Sequence, residues 1–386
     1  MYTEKIYYKD SHIFKFCATV LDCRDTEKGP AVILDKTAFF PEGGGQQADT
    51  GSLGAAKVLD VQELQGEILH YCDRALNPGE TVEGCLDAEQ RLTRMQNHSG
   101  EHVVSGLAHK LFGCENVGFH MGEDFVTIDF DRELSWEQLM EIETLANRAV
   151  RDDLHVLCTF PEPEKLKAME YRSKLELTEN VRIVEIPGVD RCACCAPHVQ
   201  HTGEIGLIKV LESERHRGGV RLNLACGMLA LKDYRVKQAN ISAISQALSA
   251  KRHETAAAVE RLLQEQQKTK ERIAALSLEL VRHIAESREK TEGNICVFDD
   301  VLDEVALREL VNMLMEKCEG IAAAFSGDDE RGYRYIMGSR NVDLKARAKE
   351  LNALINGRGG GKPRMIQGST TAAAESIARA MERDFR

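Results

Sequence analysis

The chain has 386 residues and a formal net charge of −12 at pH 7, and 43% of its residues are hydrophobic. This length is sufficient for two or three domains with their own cores. No stretch has the roughly 20 consecutive apolar residues that cross a bilayer, and the charged N-terminus has no secretory signal. Twelve cysteines without such a signal indicate a reducing compartment, so we expect a cytoplasmic protein.

The spacing of apolar residues divides the first 232 residues into two segments. Short β-favouring runs separated by Gly, Asp and Asn predict a small β-barrel-like domain over 1–90. Helical spacing followed by further strands predicts an α+β domain over 91–232, and the whole chain is expected to be α+β. The expected elements are strands at 20–23, 31–34, 57–61, 181–186 and 206–211, and helices from Ala88 to about Gly113 and from Ser135 to Asp152.

The remainder of the chain is expected to contain a helical spacer and a further domain. Residues 234–289 include neither Pro nor Gly, and their apolar residues follow an imperfect heptad pattern. This pattern predicts a coiled coil or a helical hairpin as a spacer over 233–290. Strands that alternate with helices predict an α/β domain over 291–386. Within it, residues 331–364 carry nine Lys or Arg and two acidic residues, which suits either a solvated face or a phosphate-contacting surface.

Two histidines on the first expected helix are candidate metal ligands. His98 and His102 lie four residues apart, so their side chains share one face and can bind one metal ion. Residues 98–102 also satisfy the His-x-x-Glu-His pattern of an inverted zinc peptidase, in which Glu101 would be the general base. That alternative gives no role to the cysteine-rich segment that follows or to the glycine-rich segment before the helix.

Residues 192–201 read CACCAPHVQH and form a second candidate ligand segment. Three cysteines and two histidines in ten residues are typical of a metal site, and a thiolate with imidazoles favours zinc. Cys194 and His198 are again four residues apart. Spacing alone leaves the ligands open, because Cys192 and Cys195 are alternatives to Cys194 and His201 is an alternative to His198.

A glycine-rich run in residues 37–51, TAFFPEGGGQQADTG, is a candidate ligand-binding segment. Three successive glycines permit left-handed backbone geometry and close approach of the main chain to a ligand. Taken alone, the run is equally compatible with a plain β-turn.

Together these segments resemble the editing domain of alanyl-tRNA synthetase and its freestanding relatives, the long-form AlaX-type alanyl-tRNA editing proteins. The resemblance covers nearly the whole chain in the family's order, and the C-terminal run 357–363 resembles the DHH-associated domain of the synthetases. The other matching motifs are TxFFPEGGGQ from Thr37 to Gln46 with Asp49 and Gly51, His98-x3-His102, Cys194-x3-His198 and Thr202–Gly206.

The resemblance selects among the candidate residues. It implies one Zn²⁺ per chain, with Cys194 and His198 preferred over their neighbours as partners of the two helical histidines. One departure is His120, which stands where the synthetase editing domain is expected to have glutamine. The implied site residues are His98, His102, Cys194 and His198 for metal, Thr37, Gly43, Gly44, Gly45 and Gln46 for the substrate, and Arg358, Lys362 and Arg364 for tRNA.

The activity that the resemblance implies is hydrolysis of the aminoacyl ester of tRNA(Ala) mischarged with serine or glycine, without ATP. A pocket shaped for alanine rejects neither serine nor glycine well, so a second site is needed to remove them. If the Thr37 hydroxyl forms a hydrogen bond with the serine hydroxyl, alanine leaves this group unpaired and correctly charged tRNA is not hydrolysed. Glu101 is the candidate proton acceptor. With about 90 residues ahead of His98, we expect editing in trans and no aminoacylation.

Two other readings remain open at this point. One is a tRNA-binding protein whose zinc is purely structural, and the other is the zinc peptidase. A homodimer, if one forms, is expected to use the helical spacer or the C-terminal domain.

Overall fold

The computed structural model describes residues 2–173 and 181–383, with about 38% helix and 33% strand. This content confirms the mixed α+β class. Its contacts divide the chain into two units, Met1–Ala243 and Ile244–Arg386, which are described separately. The division into four segments, at the boundaries expected from the sequence, stays a prediction. Among the described residues, no helix combines the length and the apolar character needed to cross a membrane.

The first unit begins with a closed β-barrel, as the strand pattern predicted. Six strands close it in the order β2-β3-β7-β6-β5-β8, and β1 pairs in parallel with β4. Inward residues alternate with outward ones, as on β2, where Phe16, Ala18 and Val20 are buried. The strands are β1 (Glu4–Lys5), β2 (Lys15–Thr26), β3 (Gly29–Leu34), β4 (Lys36–Thr37), β5 (Gly51–Leu53), β6 (Ala56–Leu64), β7 (Glu67–Cys72) and β8 (Thr81–Leu86).

An α+β region follows the barrel in the same unit. Two sheets, ordered β14-β15-β10-β9 and β11-β12-β13, accompany its helices. The elements are α1 (Ala88–Phe112), β9 (Asn116–Met121), β10 (Val126–Phe130), α2 (Trp136–Arg151), β11 (Leu157–Thr159), α3 (Pro163–Lys167), β12 (Ile183–Ile186), β13 (Asp190–Ala193), β14 (Ile208–His216) and β15 (Gly219–Cys226).

Helices α1 and α2 begin and end where the sequence predicted. The side chain of Asp87 accepts a hydrogen bond from the backbone N–H of Gln90, and Gly113 ends α1 in the left-handed region at φ 64°. Ser135 and Gln138 form a capping box at the start of α2. Within α1, a Cβ on Gly106 would lie 2.5 Å from Cβ of Asp190, so only glycine lets β13 approach the helix this closely.

The predicted helical stretch 234–289 is not continuous. It is divided into α4 (Gly227–Ala247), within which the boundary between the units falls, and α5 (Thr255–Glu286). Between them Ser249 takes a left-handed φ of 49°, which ends a helix without Gly or Pro. The coiled coil or helical hairpin expected in this stretch stays a prediction.

The second unit contains a five-stranded mixed sheet in the order β16-β17-β18-β20-β19. Strand β19 is formed by the glycine-rich run, although glycine is disfavoured in strands. A Cβ on Gly359 or Gly368 would lie 2.5 or 2.6 Å from the hydroxyl of Tyr335, so close packing requires glycine there. The elements are β16 (Ile295–Asp299), α6 (Glu304–Leu314), β17 (Ala322–Asp328), β18 (Gly332–Gly338), α7 (Leu344–Leu354), β19 (Gly357–Lys362), β20 (Met365–Thr370) and α8 (Ala374–Arg383).

The barrel core encloses a histidine. His70 is fully buried, its Nδ1 lies 3.0 Å from the carbonyl oxygen of Val32, and its Nε2 lies 2.8 Å from Oγ1 of Thr37. Because a carbonyl can only accept, Nδ1 carries the proton and the Thr37 hydroxyl donates to Nε2. Burial lowers the pKa of His70 to about 4, so the imidazole is neutral in the folded barrel.

This buried imidazole predicts a loss of stability in mild acid. The pKa of His70 is lower in the folded protein than in the unfolded chain, so the folded state is penalised when the pH falls below 6.5. The free energy of unfolding should therefore decrease by about 3 kcal/mol between pH 6.5 and pH 4. In His70→Gln, which keeps an acceptor for Thr37, we expect this part of the pH dependence to disappear. Urea unfolding of both proteins at pH 8, 6, 5 and 4 measures it, and equal slopes for the two would contradict the prediction.

Candidate metal centre

Two histidines of α1 and two residues that follow β13 meet at one point of the first unit. Ligand atoms of His98, His102, Cys194 and His198 all lie within 4.8 Å of one another. Each of the three histidines is at most 2% exposed. His98 and His102 share one face of α1 because they are four residues apart, whereas Cys194 and His198 come from the irregular segment that follows β13.

The distances suit a single tetrahedral ion. Sγ of Cys194 lies 3.5 Å from Nε2 of His98 and 3.4 Å from Nε2 of His198. A nitrogen and a sulfur ligand of one tetrahedral zinc ion are expected about 3.5 Å apart. Burial opposes ionisation of Cys194, but the neighbouring histidines prevail and lower the pKa of its thiol well below the usual value. The donor set therefore fits zinc, with the cysteine as thiolate.

Each histidine of the cluster is held through its other ring nitrogen. Nδ1 of His98 lies 3.0 Å from Oε1 of Gln46, and Nδ1 of His198 lies 3.0 Å from Oγ of Ser99. In the same way, Nδ1 of His102 lies 3.0 Å from Oδ2 of Asp190. Oε1 of Gln46 and the carboxylate of Asp190 can only accept, so these two contacts fix the tautomers of His98 and His102 and leave their Nε2 atoms to face the cluster.

The carboxylate that holds His102 is itself fixed. Arg172 donates to both oxygens of Asp190 at 2.8 and 2.9 Å. Burial disfavours the charged carboxylate, but the hydrogen bonds from His102 and Arg172 outweigh it and lower the pKa of Asp190 to about 2. Asp190 is therefore an anion that orients His102 at any physiological pH.

The alternative ligands left open by the sequence are not members of this four-residue group. Cys195 is exposed, and a Cβ on Gly44 would lie 3.4 Å from its Sγ. His201 is exposed, with its ring 5.0 Å from that of His155. Cys192 forms a second group of potential ligands with Asp190 and His102, and it thus shares a histidine with the first group.

Glu101 lies at the edge of the cluster. It is 4% exposed, and its Oε1 accepts hydrogen bonds from Ser105 and Asn116, both at 2.5 Å. Its Oε2 lies 3.9 Å from Nε2 of His102, the nitrogen that faces the metal position. One carboxylate oxygen is thus anchored by Ser105 and Asn116, while the other lies beside the candidate ligand His102.

The glycine-rich turn also reaches this centre. Gly44 and Gly45 take left-handed φ values of 60° and 80°, which explains the need for glycine. A Cβ on Gly45 would lie 2.5 Å from the ring of Phe119, whose centroid is 4.8 Å from that of His98. The turn therefore packs beside His98, and Gln46 at its end reaches that histidine directly. The amide Nε2 of Gln46 is buried and has no partner among residues 2–173 and 181–383.

Other expected site residues are not brought to the cluster. Thr37 is buried in the barrel, where its hydroxyl donates to His70 and accepts from the backbone N–H of Phe39. His120 is exposed on β9. Arg358, Lys362 and Arg364 are exposed on the β19–β20 hairpin of the second unit.

Arg358 lines a cavity of about 930 Å³ in the second unit, together with Arg331 and Arg334. Four acidic side chains also line it, so the cavity as a whole is not basic: Asp300, Asp303, Glu304 and Asp328.

Three protein-family models match this chain. Residues 3–90 match tRNA synthetases class II (A), 181–223 match the threonyl and alanyl tRNA synthetase second additional domain, and 292–384 match the DHHA1 domain. The chain resembles the editing and C-terminal parts of alanyl-tRNA synthetase. The second of these matches includes the segment that provides Cys194 and His198.

Individual relatives agree with these matches. The chain is 33% identical to alanine–tRNA ligase of Natronomonas pharaonis and 31% identical to that of Methanopyrus kandleri, over 95% of its own length in both cases. It spans 42% of the length of each of these synthetases. A solved C-Ala domain of alanyl-tRNA synthetase from Aquifex aeolicus aligns with 24% of this chain and 95% of its own, at 20% identity and a TM-score of 0.21.

Two of the three residues that hold the histidines, Ser99 and Asp190, were not singled out from the sequence. Ser99 lies inside the His98–His102 motif, so a hydroxyl next to a candidate ligand was an available signal. Asp190 precedes Cys194 by four residues, and metal-bound histidines commonly donate to a carboxylate. Gln46 was singled out, but as a substrate-binding residue rather than as a partner of His98.

The contact between Gln46 and His98 predicts a change in zinc affinity. Gln46→Ala removes the acceptor for Nδ1 of His98, so we expect zinc to bind on the order of tenfold to a hundredfold more weakly. Gln46→Glu keeps an acceptor and should retain the affinity. Competition with a zinc chelator measures both. The control is Gln47→Ala, since Gln47 is exposed and contacts Arg94; equal affinities of Gln46→Ala and the control would contradict the prediction.

Proposed function

We propose that the chain hydrolyses the ester bond of tRNA(Ala) mischarged with serine or glycine. The observation that carries this proposal is the cluster of His98, His102, Cys194 and His198 with the carboxylate of Glu101 at its edge. The resemblance to alanyl-tRNA synthetase supports the choice of tRNA(Ala), because alanine–tRNA ligases are the relatives that the chain matches. The reaction needs no ATP, since water is the co-substrate.

The chemistry requires one proton acceptor and one proton donor. A water that hydrogen-bonds to Oε2 of Glu101 gives it a proton while its oxygen attacks the ester carbonyl. The bond between the carbonyl carbon and the ribose oxygen then breaks, and the protonated Glu101 returns the proton to that oxygen. The products are the free amino acid and the tRNA with its terminal hydroxyl restored.

The donor set assigns the metal a supporting role. Zinc bound to the four residues would orient the aminoacyl end or polarise its carbonyl only by taking the substrate as a fifth ligand. Four protein ligands complete a tetrahedron, which leaves no open position for a metal-bound water. This is why we assign proton transfer to Glu101, whose free oxygen lies 3.9 Å from Nε2 of His102.

The contacts of Thr37 bear on how serine is distinguished from alanine. Its hydroxyl already donates to His70, so it retains at most accepting capacity for a seryl hydroxyl. Its expected part in discrimination stays a prediction. Gln46 offers a different polar group, since its buried Nε2 is a donor without a partner among the described residues.

The second unit is proposed to contact tRNA. Arg358, Lys362 and Arg364 are exposed on one hairpin, where glycines leave the backbone accessible to phosphate groups. Editing in trans and dimerisation through the helical spacer or the C-terminal domain belong to the same proposal.

Release of serine tests the activity directly. With Ser-tRNA(Ala) we expect fast release of labelled serine by the zinc-loaded protein and slow release of alanine from Ala-tRNA(Ala). Cys194→Ala, which removes a ligand, should be inactive. A folded, zinc-loaded protein that binds the tRNA but releases no serine would support the alternative of a binding protein with a purely structural zinc.

A second experiment tests the role of Glu101. Glu101→Gln retains the hydrogen-bonding shape but removes the proton acceptor, so we expect kcat to fall by about 10² to 10⁴ with zinc content unchanged. Glu89→Gln is the control, since Glu89 lies on the same helix and is exposed. Single-turnover deacylation measures both, and wild-type activity of Glu101→Gln would exclude proton transfer by this carboxylate.

A further inference from the structure

An aromatic cluster that no assigned role uses lies beside the metal centre. The ring centroids of Tyr8 and Phe160 are 5.4 Å apart in an edge-to-face arrangement. The ring of Tyr7 lies 4.6 Å from that of Tyr8 and 5.6 Å from that of Phe40. Tyr8 packs with Cys194 against the buried part of this cluster. The aromatic row therefore runs from a metal ligand outward to the surface.

Phe160 is the exposed end of the row. It is 52% exposed, directly after β11, which is an edge strand with all three residues exposed. An edge-to-face pair uses the edge of one ring and the face of the other, so ring surface remains available at the exposed member. A large apolar side chain that is half exposed and supported by a second ring is suited to stack a flat ligand.

Arg182 links Tyr8 to the segment that contains Cys194. Its guanidinium lies 5.1 Å from the centroid of Tyr8, a cation–π distance. The same group donates to the backbone carbonyl oxygens of Cys194 at 3.0 Å and Ala196 at 2.8 Å. Arg182 is 6% exposed, so these contacts are made away from solvent. One side chain thus joins the aromatic row to the loop that provides the cysteine ligand.

We propose that Phe160, backed by Tyr8, is the stacking platform for the terminal adenine of the aminoacyl-tRNA. The inference rests on the proposed function. If the ester lies at the metal centre, the adenine of the same nucleotide must lie next to it, because the ester oxygen belongs to the ribose that carries this base. Unpaired bases at RNA ends are bound largely by stacking on aromatic side chains and arginine.

Stacking is selective for position rather than for sequence, which suits this task. The 3′ end is single-stranded, and a base clamped beside the ester limits the orientations in which the carbonyl can meet Glu101. Phe160 is a binding residue in this scheme, and its loss should weaken binding of the tRNA end while the proton-transfer residues stay in place.

The test uses the zinc-loaded full chain and uncharged tRNA(Ala) with 2-aminopurine in place of the terminal adenine. Stacking on an aromatic ring quenches 2-aminopurine, so we expect quenching with the wild-type protein. Phe160→Ala should abolish the quenching and weaken binding on the order of tenfold. Phe160→Tyr should restore both. Phe125→Ala is the control, because Phe125 is a phenylalanine of the same unit that is 40% exposed.

Each result separates this inference from the proposed function, provided that serine release is measured in parallel. Quenching that depends on Phe160 without any serine release would overturn the hydrolase and retain the nucleobase site. If the wild-type protein releases serine but does not quench 2-aminopurine, only the platform is overturned. The same holds if serine is released and Phe160→Ala quenches and binds tRNA as well as the wild type. A protein that binds no tRNA would overturn both.

Discussion

The buried ion pair between Asp49 and Arg91 is the contact on which the arrangement of the first unit depends. Arg91 is fully buried and also donates to the carbonyl oxygens of Ala38 and Ser11, so one guanidinium joins three segments that flank the barrel strands to α1. Asp49 in turn accepts from the backbone N–H of Phe40, at the other end of the glycine-rich turn. Removal of either charge would leave the other buried without compensation, which is costly.

This pair has a direct effect on the metal centre. His98 follows Arg91 by seven residues, which is two helical turns, so both side chains lie on the same side of α1. The glycine-rich turn lies just before Asp49 in the chain. The bond between Asp49 and Arg91 therefore holds this turn against α1, and Gln46 meets His98 two helical turns beyond Arg91. The N-terminal part of the unit therefore helps to position a candidate metal site whose four candidate ligands all lie outside the barrel.

The parts that the sequence predicted are those with local signals. The candidate ligand pairs His98–His102 and Cys194–His198 were visible because each pair lies within five residues, and two helix ends were visible through Gly113 and Ser135. The choice of Cys194 over its neighbours came from the resemblance.

Long-range contacts were not predictable in the same way. The partners of the histidines, Gln46 and Asp190, lie 52 and 88 residues from their histidines, and no periodicity reports such contacts. Strand β19 was missed as a strand because glycine opposes strand formation, whereas packing against Tyr335 requires it.

Helix α1 carries Arg91, His98, Glu101 and His102, so its geometry fixes the positions of these side chains relative to one another. One residue inserted into a helix turns everything beyond it by about 100°. Such an insertion between Arg91 and His98 would swing both histidines away from Gln46 and Cys194 although every functional residue were still present. The number of residues in this helix is thus constrained as strictly as their identity, whereas exposed loops such as the one around Gly66, where a Cβ would meet no atom within 4 Å, tolerate changes in length.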